Sequence, residues 1–339
     1  MHAQVIPFTL AFVLALLLTP LVRQLSLRAG ALAHPGDRTV HAAPVPLLGG
    51  LAIGGACLAA VAVTGSIADR AMLGIAGGAI GMLAIGVWDD VRELRPSVKL
   101  LLQCGAAALP LACGVRVTWM TNPLGGTIYL GWLGYPLTLL WIVGLANMVN
   151  FIDGLDGLAA GVTSIASLTL LFVAVRQGHG FIIPVLAALA GSALGFLPFN
   201  FNPAKIFMGD TGALFLGYML AVVSVQGLLK SAAALGILVP LLAVGLPMLD
   251  MAYVVWRRTR AGQPFYVADK RHLHHRLLEA GLNQRQAVLF MYSVSGFFGA
   301  GAIAVSETGW IAGASLLTLA LALMLYVAIR TGVLQAGRS

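Results

Sequence analysis

The sequence predicts an all-α, polytopic integral membrane protein of about eleven transmembrane helices, with its N-terminus outside and its C-terminus in the cytoplasm. Three observations lead there. Hydrophobic residues fill 59% of the 339 positions and charged residues only 9%, with a mean hydropathy of +0.93. A soluble globular chain carries about 25% charged residues, so too few remain here to coat a water-facing surface. Apolar runs close to the roughly 20 residues of a spanning helix recur along the whole chain. Lys and Arg are strongly biased to alternate loops, which fixes the orientation. A soluble enzyme, a disordered chain and a secreted disulfide scaffold are excluded, and residues 1–339 read as a single membrane domain.

Taken in order, the apolar runs between charged or Gly/Pro-rich breaks place spans at 4–22, 47–65, 71–88, 99–115, 132–149, 157–175, 181–198, 211–229, 233–255, 287–305 and 309–329. The first has no basic leader and is followed by Arg23, so it reads as a retained anchor and not a signal peptide. The 41 glycines are high for a chain of this length, as expected where helices pack closely in lipid through small residues. Cys57, Cys104 and Cys113 lie in apolar runs and are odd in number, which argues for core packing over disulfides or metal. Sixteen of the twenty Lys and Arg fall on one side. The other side holds only Arg70, Arg116, Arg176 and Lys230. The basic side is therefore assigned to the cytoplasm. Trp119, Tyr129 and Trp132 near the opposite border read as interfacial anchors.

The acids share the basic side, which topology does not require. Of twelve, only Asp69 and Glu307 fall on the outer side. A face rich in both signs and in histidine points to chemistry, and four motifs concentrate it. Asp89-Asp90 closes the third span, where two adjacent carboxylates repel and resist desolvation unless a cation or a proton relay offsets the cost. Asn147, Asn150, Asp153 and Asp156 are spaced by three. On a helix that spacing lines amides and carboxylates along one slowly rotating stripe, with Gly154 and Gly157 leaving room beside it. Asp210, ahead of the eighth span in FMGDTG, is placed to hold a hard cation that also touches phosphate, since Mg²⁺ takes one or two protein carboxylates and fills the rest with water and phosphate oxygens. An N-cap role for Asp210 is the alternative, and Lys205 nearby can balance phosphate charge. His272, His274 and His275, flanked by Lys270, Arg271 and Arg276, read as a phosphate-binding loop more readily than a zinc site, because the neighbouring bases repel a cation. His41, in HAAPVPLLGG, is a weaker signal.

Together, and in this order on alternating cytoplasmic loops, Asp89-Asp90, NxxNxxDGxDG, FMGDTG and HLHH resemble the polyprenyl-phosphate N-acetylhexosamine-1-phosphate transferases, which include the WecA- and TagO-type enzymes and MraY. The likeness covers the chain from His41 to about Arg285. The His-Leu-His-His loop is similar to that of the WecA/TagO branch. Val45 and Leu47 depart from the family's usual Thr and Arg. The resemblance implies transfer of N-acetylhexosamine-1-phosphate, GlcNAc-1-phosphate first, from a UDP-sugar to undecaprenyl phosphate, with release of UMP, at the cytoplasmic face of a bacterial plasma membrane. It implies Mg²⁺, with Mn²⁺ as a substitute, on Asp210 and Asn150. It implies Asp89 or Asp90 as base or positioner of the acceptor phosphate, with Asp153 and Asp156 on the nucleotide or behind the metal. Lys99, Lys205, Asn147, Asn200, His41 and the three loop histidines complete the substrate-binding set, with Phe207 stacking on uracil. Nucleic acid is not an expected partner, and homodimerisation is left open. The rivals are an ion- or proton-coupled transporter, which should carry its acids at the midplane and show an internal repeat, and a non-catalytic binder of lipid or nucleotide.

Overall fold

The computed structural model describes residues 2–33, 44–64, 69–121, 127–228 and 281–308, with short pieces at 245, 253, 258–260, 277–279, 315 and 318–319. The described helices are α1 (His2–Ala29), α2 (Gly49–Thr64), α3 (Arg70–Arg92), α4 (Pro96–Ala112), α5 (Gly134–Ile152), α6 (Leu158–Gln177), α7 (Ile183–Asn200), α8 (Gly209–Val223) and α9 (Gln284–Thr308). Each coincides with one predicted span. Among the described residues six apolar stretches are long enough to cross a membrane, α2 and α4 are shorter apolar helices, and α8 continues as a π-helical turn over Ser224–Leu228. The chain is a polytopic helical membrane protein. The spans predicted at 233–255 and 309–329 lie almost wholly outside the described residues.

Two features depart from a purely helical reading. Leu32–Ala33 (β1) pairs antiparallel with Val45–Pro46 (β2), and Trp119–Thr121 (β3) with Thr127–Tyr129 (β4). Both pairs join helix ends, where backbone groups leaving a helix need partners. Trp119 and Tyr129 meet across the second pair with ring centroids 4.7 Å apart and planes tilted by 51°, and both are exposed, as interfacial aromatics are.

Helix α8 is the hub. Every residue from Thr211 to Val223 is buried, so the helix is apolar all round and has no lipid face. It packs against α2, α3 and α5, and in a bilayer such packing depends on close approach more than on a hydrophobic drive. Glycine supplies that approach. A Cβ on Gly50 would fall 2.0 Å from the Gly212 nitrogen, and one on Gly86 would fall 2.3 Å from Thr211 Cα. On the other side of α8, a Cβ on Gly217 would fall 2.6 Å from Ala146 Cα.

Two boundaries differ from expectation with consequences for function. Helix α1 runs on past residue 22 to Ala29, and Arg23 on this extension donates to the Lys205 carbonyl at 3.1 Å. The predicted stripe from Asn147 to Asp156 is not one helix. Helix α5 stops at Ile152 with Asp153 at its C-cap, and Gly157, at φ +82°, opens α6 from a left-handed conformation that suits glycine. Asn147 and Asn150 therefore sit on α5, whereas Asp153 and Asp156 belong to the turn that follows.

Candidate active site

The C-terminal ends of α3, α5 and α7 and the N-terminal ends of α2, α4, α8 and α9 meet at one end of the bundle, tied by hydrogen bonds between them. Consecutive residues on a helix point about 100° apart, so the Asp89-Asp90 pair diverges. Asp89 Oδ2 lies 2.8 Å from Lys99 Nζ on α4, and its Oδ1 accepts the Leu94 N–H at 2.6 Å. Lys99 also contacts Asp210, so its ammonium bridges two carboxylates from different helices. Asn150 Nδ2 donates to the other oxygen of Asp210 at 2.7 Å.

Asp90 turns the other way, to the N-terminus of α8. Its Oδ1 accepts the Asp210 N–H at 2.8 Å, and its Oδ2 accepts the Thr211 N–H at 3.1 Å and the Thr211 hydroxyl at 2.6 Å. The α8 N-cap position is Met208, which offers no side-chain cap. Asp90 thus supplies, from another helix, the acceptor that the first N–H groups of α8 lack. Gly209 makes room for it, since a Cβ there would lie 2.3 Å from Asp90 Oδ2.

The turn after α5 brings two further carboxylates. Asp156 Oδ2 accepts from Asn202 Nδ2 at 2.9 Å and from the Ala204 N–H at 3.0 Å, anchoring the segment between α7 and α8. Asp153 is half-buried and accepts no hydrogen bond from the described residues. Burial first, then the charges of Asp210, Asp90 and Asp156, push its carboxyl well above the ordinary carboxylate range. Asp90, Asp153, Asp156 and Asp210 line one cavity of about 280 Å³ together with Asn150 and Phe207. Four carboxyl groups crowd this small space, and Lys99 offsets the charge of the ionised ones only in part. Among the described residues no three His, Cys, Asp or Glu side chains are arranged to hold a metal by themselves. The oxygen-rich set of Asp210 and Asn150 fits a hard cation that completes its sphere with water and phosphate. Asn150 presents its nitrogen to Asp210 here and would turn its amide to offer oxygen.

The other predicted residues divide. Phe207 lines the cavity, with its backbone paired to Pro46 and Gly49. Asn200 also lines it, but its amide is committed to the Gly157 N–H and the Ile206 carbonyl, holding the turn to the end of α7. Asn147 lies one turn deeper on α5 and pairs with Gln103 on α4, its Nδ2 donating to Gln103 Oε1 at 2.6 Å. Lys205 is exposed and does not line the cavity. His41, His272, His274 and His275 lie outside the described residues. Sequence reasoning missed Gln103, Thr211, Asn202 and Gln284. Only Thr211 and Asn202 were within reach, because both stand in the same polar- and glycine-punctuated string as Asp210, FNFNPAKIFMGDTG.

Comparisons with known proteins identify the family. The model of glycosyl transferase family 4 matches residues 72–228, which run from α3 through α8. A Bacillus subtilis (strain 168) protein named "probable undecaprenyl-phosphate N-acetylglucosaminyl 1-phosphate transferase" is 38% identical over 309 residues, 91% of this chain and 86% of its own length. The decaprenyl-phosphate N-acetylglucosaminephosphotransferase of Mycobacterium tuberculosis is 37% identical over 311 residues, covering 83% of this chain and 77% of that one. A phospho-N-acetylmuramoyl-pentapeptide-transferase of Streptococcus thermophilus is 33% identical over 240 residues, 69% of this chain and 70% of its own. With such identity across most of both sequences, the chain belongs to glycosyl transferase family 4, among the polyprenyl-phosphate N-acetylhexosamine-1-phosphate transferases.

Proposed function

We propose that the chain transfers GlcNAc-1-phosphate from UDP-GlcNAc to a polyprenyl phosphate such as undecaprenyl phosphate, releasing UMP and forming the lipid-diphosphate sugar that begins a cell-surface polymer. The observation that carries this reading is the convergence of Asp90, Asp153, Asp156 and Asp210 on one cavity, with Lys99 behind them. Two anionic substrates can share an acidic cavity only with a cation between them. An acceptor phosphate oxygen bonds to the sugar-linked phosphorus, and the bond from that phosphorus to the bridging oxygen breaks, leaving its electrons on UMP. Catalysis of this kind is mostly positioning and charge neutralisation.

Asp210 and Asn150 are the residues assigned to hold Mg²⁺, or Mn²⁺ in its place. When bound, the ion supplies neutralisation of the diphosphate charge. Lys99 is assigned to the phosphates, reached from its position between Asp89 and Asp210. Asp89 is assigned to orient the acceptor phosphate, because Asp90 is committed to α8. A phosphate monoester has its second pKa near 6, so an acceptor already dianionic at neutral pH needs orientation more than deprotonation. Asp153 and Asp156 bound the donor side, and Phe207 offers a ring to the base. The loop histidines and His41 are assigned to the donor by resemblance. Lys205 remains at the basic rim.

The site lies at the bundle end that carries Arg23, Arg28, Arg92, Arg95 and Arg285, while Arg70, Arg116 and Arg176 lie at the opposite end. The positive-inside rule makes that end cytoplasmic, which supports our reading of a cytoplasmic site with the N-terminus outside. With it goes the reading of residues 1–339 as one domain of eleven spans in a bacterial plasma membrane.

The test is direct. Purified protein in detergent receives undecaprenyl phosphate and UDP-GlcNAc, with Mg²⁺ or with EDTA, and UMP and lipid-linked sugar are measured. Metal-dependent UMP matched by lipid product is the expected result. Release only with another UDP-N-acetylhexosamine corrects the donor. No release with any donor, from folded protein, rejects the assignment.

A further inference from the structure

The hydrogen bonds around Asn202 determine the orientation of a side chain that the sequence did not single out. Asp156 is a carboxylate and can only accept, so the group 2.9 Å from its Oδ2 must be the Asn202 amide nitrogen. That same nitrogen lies 2.7 Å from the Gln284 amide, which must therefore present its oxygen. Gln284, the first residue of α9, lines the acidic cavity with Asp153 and Asp156. Its nitrogen is left with two N–H donors and no partner among the described residues. Of the three amides lining the cavity, Asn150 gives its nitrogen to Asp210 and Asn200 gives its nitrogen to Ile206. Gln284 alone keeps its nitrogen uncommitted.

We propose that Gln284 is a donor-recognition residue, its amide nitrogen donating to a neutral oxygen of the bound sugar nucleotide. This rests on the transferase reading above. A neutral amide adds little to phosphate charge, so the acceptor is a carbonyl or hydroxyl of the hexosamine or of the uridine. Placement is rigid, because the Asp156–Asn202–Gln284 chain holds the oxygen end and Asn283 and Gln286 cap the same helix reciprocally at 2.9 Å each. The Arg285 guanidinium adds a further tie, donating to the Asn202 carbonyl at 3.0 Å.

Gln284→Glu separates recognition from structure. A carboxylate still accepts from Asn202, so the tie to Asp156 survives, but the free donor becomes an acceptor carrying charge. Gln284→Met removes both. In the UMP-release assay, Gln284→Met is expected to raise the donor KM by about 3- to 10-fold, the loss of one neutral hydrogen bond. Gln284→Glu is expected to raise it at least as much, while the KM for undecaprenyl phosphate stays within about twofold. Inhibition by UMP then locates the contact. A UMP inhibition constant weakened in step with the donor KM places it on uridine, and an unchanged one places it on the sugar. Both outcomes support the proposal. A wild-type donor KM in Gln284→Glu overturns it, and so does an equal rise in both KM values, which would mark a change in cavity shape. Wild-type protein that turns over no donor, measured alongside, rejects the transferase reading itself, whereas active wild type with unaffected variants rejects only this inference.

Discussion

Replacing Asp90 distinguishes a residue that performs chemistry from one that holds another residue in place. Its carboxylate receives three hydrogen bonds from the first turn of α8, at 2.8, 3.1 and 2.6 Å. Thr211 is completely buried whereas Asp90 lines the cavity, so water can take the place of its carboxylate only in part. In Asp90→Ala, two backbone N–H groups and one hydroxyl lose their acceptor. Each unsatisfied group costs roughly 1–3 kcal/mol, and with partial relaxation the sum is roughly 3–5 kcal/mol. At about 2 °C per kcal/mol for a chain of this size, melting in detergent should fall by roughly 6–10 °C. Asn caps helices about as well as Asp. Asp90→Asn can keep its oxygen on the Asp210 N–H and donate from its nitrogen to the Thr211 hydroxyl, so only the Thr211 N–H loses its acceptor and the loss should be about 1–2 kcal/mol. Because the Asp210 N–H is one of the three donors, loosening the cap shifts Asp210. The Mg²⁺ concentration for half-maximal turnover should therefore rise strongly in Asp90→Ala and little in Asp90→Asn. Melting curves and Mg²⁺ titrations of turnover check both. An Asp90→Asn protein with native melting but as little activity as Asp90→Ala would refute the capping role and give Asp90 a part in the reaction.

Three further outcomes follow from named contacts. Asp210→Asn should abolish turnover and remove the rise in melting temperature that Mg²⁺ gives the wild type, because the charged oxygen assigned to the ion is lost. Differential scanning fluorimetry with and without Mg²⁺ reads this, and an undiminished rise would free Asp210 from the metal. Gly86→Ala places a Cβ 2.3 Å from Thr211 Cα, a backbone atom that cannot rotate away. It should cost roughly 3 kcal/mol or more and depress turnover, whereas Gly77→Ala on the same helix, 3.6 Å from the tip of Leu109, should be neutral or stabilising by about 0.5–1 kcal/mol. Equal melting of these two variants would refute the close-approach argument. At the far end, Arg176 and Glu307 pair at 2.7 and 3.0 Å but both are exposed. Glu307→Gln should therefore leave both melting and turnover essentially unchanged, and a clear drop in melting would show that this pair locks α6 to α9.

Much of this protein was determined by its sequence taken locally. Charge depletion and the recurrence of apolar runs decide that the chain is a helical membrane protein, because lipid admits only segments that satisfy their own backbone. The nine described helices fall where hydropathy places them. The acids that share one cavity were identifiable individually, since carboxylates at the end of an apolar run are costly and rarely incidental. Direction was not legible. A spacing of three made Asn147 through Asp156 look like one helical face, but α5 ends at the Asp153 C-cap and left-handed Gly157 opens α6, separating the two amides from the two carboxylates. Adjacent Asp89 and Asp90 looked equivalent, and only the packing of α3 between α4 and α8 gives them opposite tasks. Asn147 looked like a ligand and proves to be half of an amide pair with Gln103, a residue with no local signal. Gln284 had none either, because its role depends on Asn202 and Asp156, 82 and 128 positions away in the chain. Local sequence sets where helices lie and where charge is costly to bury. Which donors meet which acceptors is decided by contacts between segments distant in the chain, and those exist only once the bundle has closed around α8.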